Sequence, residues 1–536
     1  MREPTNAVDV ERDVKVEMPD GAVLLADIWR PVGVESAPTI LERTPYGRST
    51  LGTWDPSGQI LAERGYRFIL QAVRGTDGSG GSQTFFAERD DGRTTADWVA
   101  AQPWFNGHLA TYGASYMGFT QWALASTAPS YLNAMVISLS SRGSSWYLGG
   151  ALALELMINW DLSALAFLHP ERGGFAQDIT PEGVERQQQM LIAAFDHLPV
   201  SDALLHVAGE NHPLFQQQIA HPSADDPHWA PVRFETQLER WTVPTLLIDS
   251  WFDAPLPGVC ADYVALRAGG APVGMRIGGG GHLEGGGEGA LDAALAWFDR
   301  YLLGDESVDV GAPVSVHVQG EGARWRELED WPPPAAVPTR WYLYPGGRLA
   351  TDAPTDASVP DTYRYDPADP TPSLGGTGLM TGATVDNGPL EARADVLLYT
   401  SDVLVAPLEL LGPVDAELVV SSTLDHTDFF VRICDVHPDG RSFNICDGLQ
   451  RFDPSNIARR ADGTFLADVR VWPIGHRFGA GHRIRIQVSS GSHPVYGRNL
   501  GTGEPPATAT EMLVAEQSVH HDPHHRSSVT LPVFAG

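Results

Sequence analysis

Over its first 143 positions the chain alternates short apolar runs of strand length with longer amphipathic stretches. Residues 14–18 and 23–29, joined by Pro19-Asp20-Gly21, read as an opening β-hairpin. Residues 39–43 and 67–72 read as strands, helices are expected near 59–64 and 94–101, and a further strand runs through Thr111-Tyr112. Alternation at this spacing predicts a mostly parallel sheet with helices on both faces. From 144 to 235 the strand pattern stops. Residues 148–167 are nearly all apolar and rich in helix formers, and 182–198 are amphipathic, which predicts a helical cap laid over a pocket. Strand runs resume at 243–248 and 273–277, and a helix over 290–303 closes this part. Beyond Gly304 the rhythm changes again. Runs at 314–318, 341–344, 396–400, 416–421, 429–435, 465–471 and 484–489 are separated by Pro- and Gly-rich turns, the pattern of a jelly-roll β-sandwich. The expected organisation is an α/β core built from 1–143 and 236–310, a cap over 144–235, and a sandwich over 311–536.

One segment gives this architecture a chemistry. A strand runs into Gly113-Ala114-Ser115-Tyr116-Met117-Gly118, and helix-forming residues follow. A strand turning sharply into a helix through Gly-x-Ser is the nucleophile elbow of an α/β-hydrolase, although here the second glycine comes one position later than in G-x-S-x-G. A serine hydroxyl needs a histidine to take its proton and an acid to orient that histidine, and in this fold they follow in the order Ser, acid, His. The strand run 243–248 ends in Asp249-Ser250-Trp251-Phe252-Asp253, and the run 273–277 leads through Gly278-Gly279-Gly280-Gly281 to His282. Of the two acids, Asp253 is preferred because Asp249 still falls within the strand, whereas Asp253 lies on the loop beyond it. The glycine run is expected to leave the imidazole free to reach Ser115. An oxyanion needs donors as well. One is the backbone N–H of Tyr116, and the other is either the phenol of Tyr46, at the end of the run 39–43, or a group elsewhere if Tyr46 is an ordinary surface aromatic. Trp146, Trp160 and Phe167 in the cap, with Phe252 and Pro255 beside the acid, are the candidate pocket residues.

Leu41-Glu42-Arg43-Thr44-Pro45-Tyr46-Gly47, Val73-Arg74-Gly75-Thr76-Asp77-Gly78, the elbow, Trp251-Phe252-Asp253, Asp435-Val436-His437-Pro438-Asp439-Gly440-Arg441 and Gly481-His482-Arg483-Ile484 together resemble the cocaine esterase/glutaryl-acylase family of serine hydrolases, related to bacterial X-Pro dipeptidyl peptidases. These matches span essentially the whole chain. The resemblance implies Ser115 as nucleophile, Asp253 as acid, His282 as base, and Tyr46 with the Tyr116 amide as oxyanion hole. It likens Trp160 to a lid residue walling the acyl pocket. Pro255 stands where cocaine esterase has a pocket aromatic, which argues against a benzoyl-shaped pocket. The implied activity is hydrolysis of a carboxylic ester of a small organic molecule through an acyl-enzyme, with no metal or organic cofactor. An amidase, an acylase or an acyltransferase using the same three residues stays open, and so does a carbohydrate-binding protein with an inert core.

Composition narrows the partners. The chain has 536 residues, 43% of them hydrophobic, and 36 basic against 67 acidic residues give a net charge of −31. Such a surface repels nucleic acid and anionic membranes. No secretory leader and no run of membrane-spanning length is visible, and three cysteines argue against a disulfide framework, so a cytosolic protein is expected, with homo-oligomers allowed. Cys434 and Cys446 read first as buried thiols and second as a bridge. The run His520-His521-Asp522-Pro523-His524-His525 looks like a metal clip but reads more simply as the approach to the last strand.

Overall fold

The computed structural model describes residues 2–49, 56–143, 146–168, 180–223, 226–234 and 241–536, without the side chains of 166–168 and 181. A ten-strand sheet organises the first part. Its strands are β1 (Val8–Glu17), β2 (Val23–Pro31), β3 (Ala37–Thr44), β4 (Arg67–Ala72), β5 (Phe105–Ala114) and β6 (Leu132–Ser138). After a two-stranded ribbon, β7 (Tyr147–Leu148) and β8 (Ala151–Leu152), it continues with β9 (Thr245–Ser250), β10 (Val273–Gly278), β11 (Val314–Gly320) and β12 (Arg324–Leu328). The spatial order is β1-β2-β4-β3-β5-β6-β9-β10-β11-β12, parallel from β4 to β11 and antiparallel at both margins.

Side-chain alternation explains why the central strands read as continuous apolar runs. On β9, Leu246 and Ile248 face α1 (Ser57–Glu63) and the later helix over 290–301, while Leu247 faces the opposite helical layer. That layer comprises α2 (Glu88–Ala100), α3 (Tyr116–Ala125) and the helix over 256–268. Both faces of a parallel sheet are covered, so both residues of each alternating pair face a buried layer and are mostly apolar.

The cap follows β6: the β7–β8 ribbon, then α4 (Leu154–Leu168), α5 (Pro181–Asp196), α6 (Ala203–Ala208) and α7 (Pro213–Ala220). Leu152, Met157, Ile158, Leu204 and Phe215 form a core of its own. The expected helix over 148–167 thus starts later, because Gly149 and Gly150 turn the ribbon against the sandwich, where a Cβ on Gly149 would lie 1.7 Å from the Leu449 carbonyl. Returning to the sheet, α8 (Leu256–Ala268) follows β9 and α9 (Ala290–Tyr301) follows β10. Among the described residues no helix is long and apolar enough to cross a membrane.

The remaining chain is a β-sandwich of β13 (Ala336–Tyr344), β14 (Arg348–Ala350), β15 (Asp361–Tyr365), β16 (Leu397–Ser401), β17 (Leu408–Ser422), β18 (Thr427–Val436), β19 (Ser442–Phe452), β20 (Phe465–Phe478), β21 (Arg483–Ser489), β22 (Ala515–His520) and β23 (Ser528–Phe534). It is not a separate appendage. β11 pairs with β20 at Gln319 and Gly320, and one buried apolar cluster runs from Leu247 and Trp251 into Trp331, Ile474 and Phe478. Cys434 and Cys446 are free and buried: a bulge between Ile433 and Cys434 sets Cys446 opposite Ile433 rather than Cys434.

Candidate active site

Ser115 lies between β5 and α3 with φ +59° and ψ −122°, a conformation that disfavours residues carrying a Cβ. Its neighbours make the turn feasible. A Cβ on Gly113, whose φ is +133°, would lie 2.5 Å from Met117 Cβ, and one on Gly118 would lie 2.4 Å from Ser140 Cβ. The shifted second glycine therefore does its work three residues after the serine, where α3 crosses the loop after β6. The Ser115 amide donates to the Ser138 carbonyl at 2.9 Å, and its own carbonyl accepts from Gly118 and Phe119, starting the helix.

Asp253 lies just beyond β9 and His282 in a single helical turn after β10. The two loops are tied by their backbones: the Trp251 amide donates to the Gly278 carbonyl at 3.2 Å, and the Phe252 amide to that of Gly280 at 3.0 Å. This brings His282 Nδ1 to 2.8 Å from both carboxylate oxygens of Asp253, which is fully buried. Burial alone would lower the imidazole pKa, but the charge of Asp253 and its hydrogen bond, with the charge of Glu155 added, raise it above the usual histidine range. Asp249 makes no such contact with His282. It is buried in β9, and burial followed by the charge of Asp253 pushes its carboxyl well above the usual range. The glycine run serves a different purpose from the freedom of motion expected of it. It admits a second loop: a Cβ on Gly281 would lie 2.7 Å from the Gly382 carbonyl.

Tyr46 follows β3, and its phenol oxygen accepts the Trp160 indole N–H at 3.1 Å. Burial raises the phenol pKa, and hydrogen bonds with Trp160, the Ser115 hydroxyl and the Tyr116 backbone act against that rise. The phenol, the serine hydroxyl and the Tyr116 amide thus meet at one point. Behind them the Tyr116 phenol donates to Glu88 at 2.8 Å, and Glu88 pairs with Arg43 at 2.7 Å, both fully buried. This fixes the first turn of α3 and with it the direction of the Tyr116 amide.

Ser115, Tyr116 and His282 share the wall of a cavity of about 370 Å³ with Phe85, Phe119, Trp146, Trp160, Trp229, Pro255 and Leu379. Of the expected pocket residues, Trp146, Trp160 and Pro255 therefore line it. Phe252 does not: its backbone bond to Gly280 turns the ring away into the buried core, where it is 2% exposed. Phe167 falls within α4, but its side chain lies outside the described residues. No carboxylate lines the cavity among the described residues, whereas Arg142 and Arg233 do.

Among the residues to which the sequence reading gave no role are Leu379 and its support, Glu155. Leu379 comes from the sandwich, about 100 residues after His282, on the loop between β15 and β16. That loop is held at its base by the buried Arg432–Asp447 pair, 2.9 Å apart, with Arg432 also donating to the carbonyls of Leu374 and Gly375. Its tip is held by Glu155 at the start of α4, whose carboxylate accepts the Leu379 and Met380 amides at 2.8 and 2.9 Å. A buried glutamate early in an apolar helix is the one signal that could have drawn attention to it.

Comparison with known proteins identifies the family. Residues 20–284 match the family model for X-Pro dipeptidyl-peptidase (S15 family), and 307–530 match that for the X-Pro dipeptidyl-peptidase C-terminal non-catalytic domain. Cocaine esterase from Rhodococcus sp. (strain MB1 Bresler) is 31% identical, with 98% of each chain covered. Among solved structures, an aminopeptidase from a marine sediment Thaumarchaeota archaeon superposes with a TM-score of 0.80 at 23% identity, covering 100% of this chain and 97% of that one. An α-amino acid ester hydrolase superposes with a TM-score of 0.78 at 22% identity, covering 99% and 97%. At such identities the two structures speak for the fold. The near-complete match to cocaine esterase carries more, and with it the chain belongs to the cocaine esterase-like hydrolases built on the S15 X-Pro dipeptidyl-peptidase fold.

Proposed function

We propose that this protein hydrolyses carboxylic esters of small organic molecules through an acyl-enzyme on Ser115. The observation that carries this reading is the meeting of the Ser115 hydroxyl, the Tyr46 phenol and the Tyr116 amide beside a cavity lined by Ser115, Tyr116 and His282, whose far nitrogen is bonded to a buried carboxylate. His282 takes the Ser115 proton as Oγ attacks the carbonyl carbon. Tyr46 and the Tyr116 amide donate to the oxygen that becomes negative, where two aligned donors act most strongly. His282 then protonates the leaving alkoxide, and a water activated by the same imidazole releases the acid. Asp253 keeps Nδ1 protonated and steadies the imidazolium. A mostly aromatic cavity suits an apolar acyl or alcohol group.

The second reading, an amidase or aminopeptidase, draws support from the S15 family model. Recognition of a free ammonium group calls for a carboxylate in the pocket, and the described lining has arginines instead. The test is Ser115→Ala protein given a short aryl ester and the amide of the same acid. Ester turnover by the native protein that disappears in the variant supports the proposal. Equal rates in both proteins remove Ser115 from the mechanism, and native turnover of the amide alone selects the second reading.

A further inference from the structure

A second cavity, of about 430 Å³, opens at the seam where β11 joins β20, and it is lined by Gln319, Glu321, Thr384, Asp435, His437, His476 and His482 among others. Its polar groups converge on one carboxylate. Asp435, on β18 and 1% exposed, accepts from His482 Nδ1 at 2.7 Å through one oxygen and from His476 Nε2 at 2.9 Å through the other. His437 Nε2 lies 3.8 Å from the second oxygen, and the His437 and His482 rings are 4.4 Å apart between centroids. Three imidazoles around one buried aspartate exceed what a β-sandwich needs for hydrogen bonding. His437 has no donor contact as short as the others, and the Nδ1 atom of His476 is buried with no partner.

We propose that Asp435, His437 and His482 form a binding site for a divalent first-row transition ion of the Zn²⁺ kind. One ligand atom from each lies within 4.8 Å of the other two. Ligands about 2.0–2.2 Å from a tetrahedral Zn²⁺ stand about 3.3 Å from one another, so the His482–Asp435 contact must open by roughly half an ångström while His437 moves in. Two imidazoles and a carboxylate suit this class of ion, whereas Ca²⁺ and Mg²⁺ take oxygen ligands. His476 donates to the carboxylate oxygen and orients it, as the outer partners of metal ligands do. The fourth position faces the cavity. The three ligands come from β18, from the turn after it and from the turn before β21, so an ion would cross-link them. Thr384, on the cavity wall, is five residues from Leu379 in the catalytic pocket, and a Gly376–Ala383 bridge closes the hairpin that carries both. This departs from the expectation that the chain binds no metal.

A second cluster, His520, Asp522 and His525, also has ligand spacing but lies at the surface, with His525 already bonded to Asp522 and Asp462. The test therefore uses the full chain carrying His525→Ala, freed of metal by a chelator and titrated with ZnCl₂ by calorimetry, then loaded with Co²⁺ for its visible spectrum. One equivalent of Zn²⁺ is expected, with a Co²⁺ spectrum of low symmetry. Adding His437→Ala removes a ligand and should weaken Zn²⁺ binding by at least about 100-fold, no less than the loss of an outer partner costs. His437 is about a third exposed, so its replacement leaves the fold in place, and ester turnover by that variant checks this. Absence of Zn²⁺ uptake, or uptake weakened less than about threefold by His437→Ala and by His482→Asn, overturns the proposal.

Discussion

Two buried carboxylate–imidazole pairs lie within reach of Trp160, and they differ in what the imidazole faces. In the first, Asp253 holds Nδ1 of His282, whose ring borders the same cavity as Ser115. In the second, Asp161 holds Nδ1 of His212 inside the cap, both are essentially unexposed, and the His212 ring packs 5.9 Å from that of Trp160. His212 lines no part of the catalytic cavity among its described walls. Burial raises the Asp161 carboxyl to about 6, opposed by His212, whereas His282 is held above its usual range by Asp253 and Glu155. A buried Asp–His pair is therefore a scaffold by default. It becomes catalytic equipment when its outer nitrogen meets a nucleophile and a space for substrate.

The comparison breaks most sharply at Ser115. Replacing it by alanine should lower kcat/KM for a short aryl ester by about 10⁴-fold or more, with Tm unchanged and fluorophosphonate labelling abolished. Retained labelling would move the nucleophile elsewhere. Tyr46→Phe removes one of two donors to the developing oxyanion and should lower kcat by roughly 10²- to 10³-fold with little change in KM. A change confined to KM would make Tyr46 a packing residue. Glu155→Gln keeps an acceptor for one of the Leu379 and Met380 amides and removes a charge that raises the His282 pKa. Because activity needs neutral His282, the acid limb of the kcat/KM–pH profile should shift to lower pH, with kcat reduced by about tenfold at most. A limb that stays fixed or moves up would detach Glu155 from the imidazole. The smallest effect on turnover is expected at the closed pair. Asp161→Asn should leave kcat within about threefold while costing about 3 kcal/mol of stability by chemical denaturation, as for one partner removed from a buried ion pair. A large loss of activity at full stability would erase the distinction drawn above.

Much of the candidate site was legible because it depends on local backbone requirements. Gly113 and Gly118 are needed within a single turn, and Asp253 and His282 fall just after strands whose apolar runs mark where parallel strands end. Tyr46 was named for the same reason. Phe252 was misjudged because its neighbour in sequence, Asp253, faces the site, while a backbone bond to the second loop turns Phe252 the other way. The glycines before His282 looked like freedom, yet they are points of close contact, Gly278 with Gly286 and Gly281 with Gly382, a residue about one hundred positions later.

The order of apolar runs and turn residues was sufficient to mark the sheet, the elbow and the three side chains proposed to react, since each follows from short-range sterics and from which face of an element must be dry. Only the folded molecule decided what closes the pocket. Leu379, its support by Glu155, and the Arg432–Asp447 anchor beneath it join three separate segments through burial and hydrogen bonds. Such contacts link residues from 15 to 225 positions apart, and they leave no periodicity for a linear reading to find.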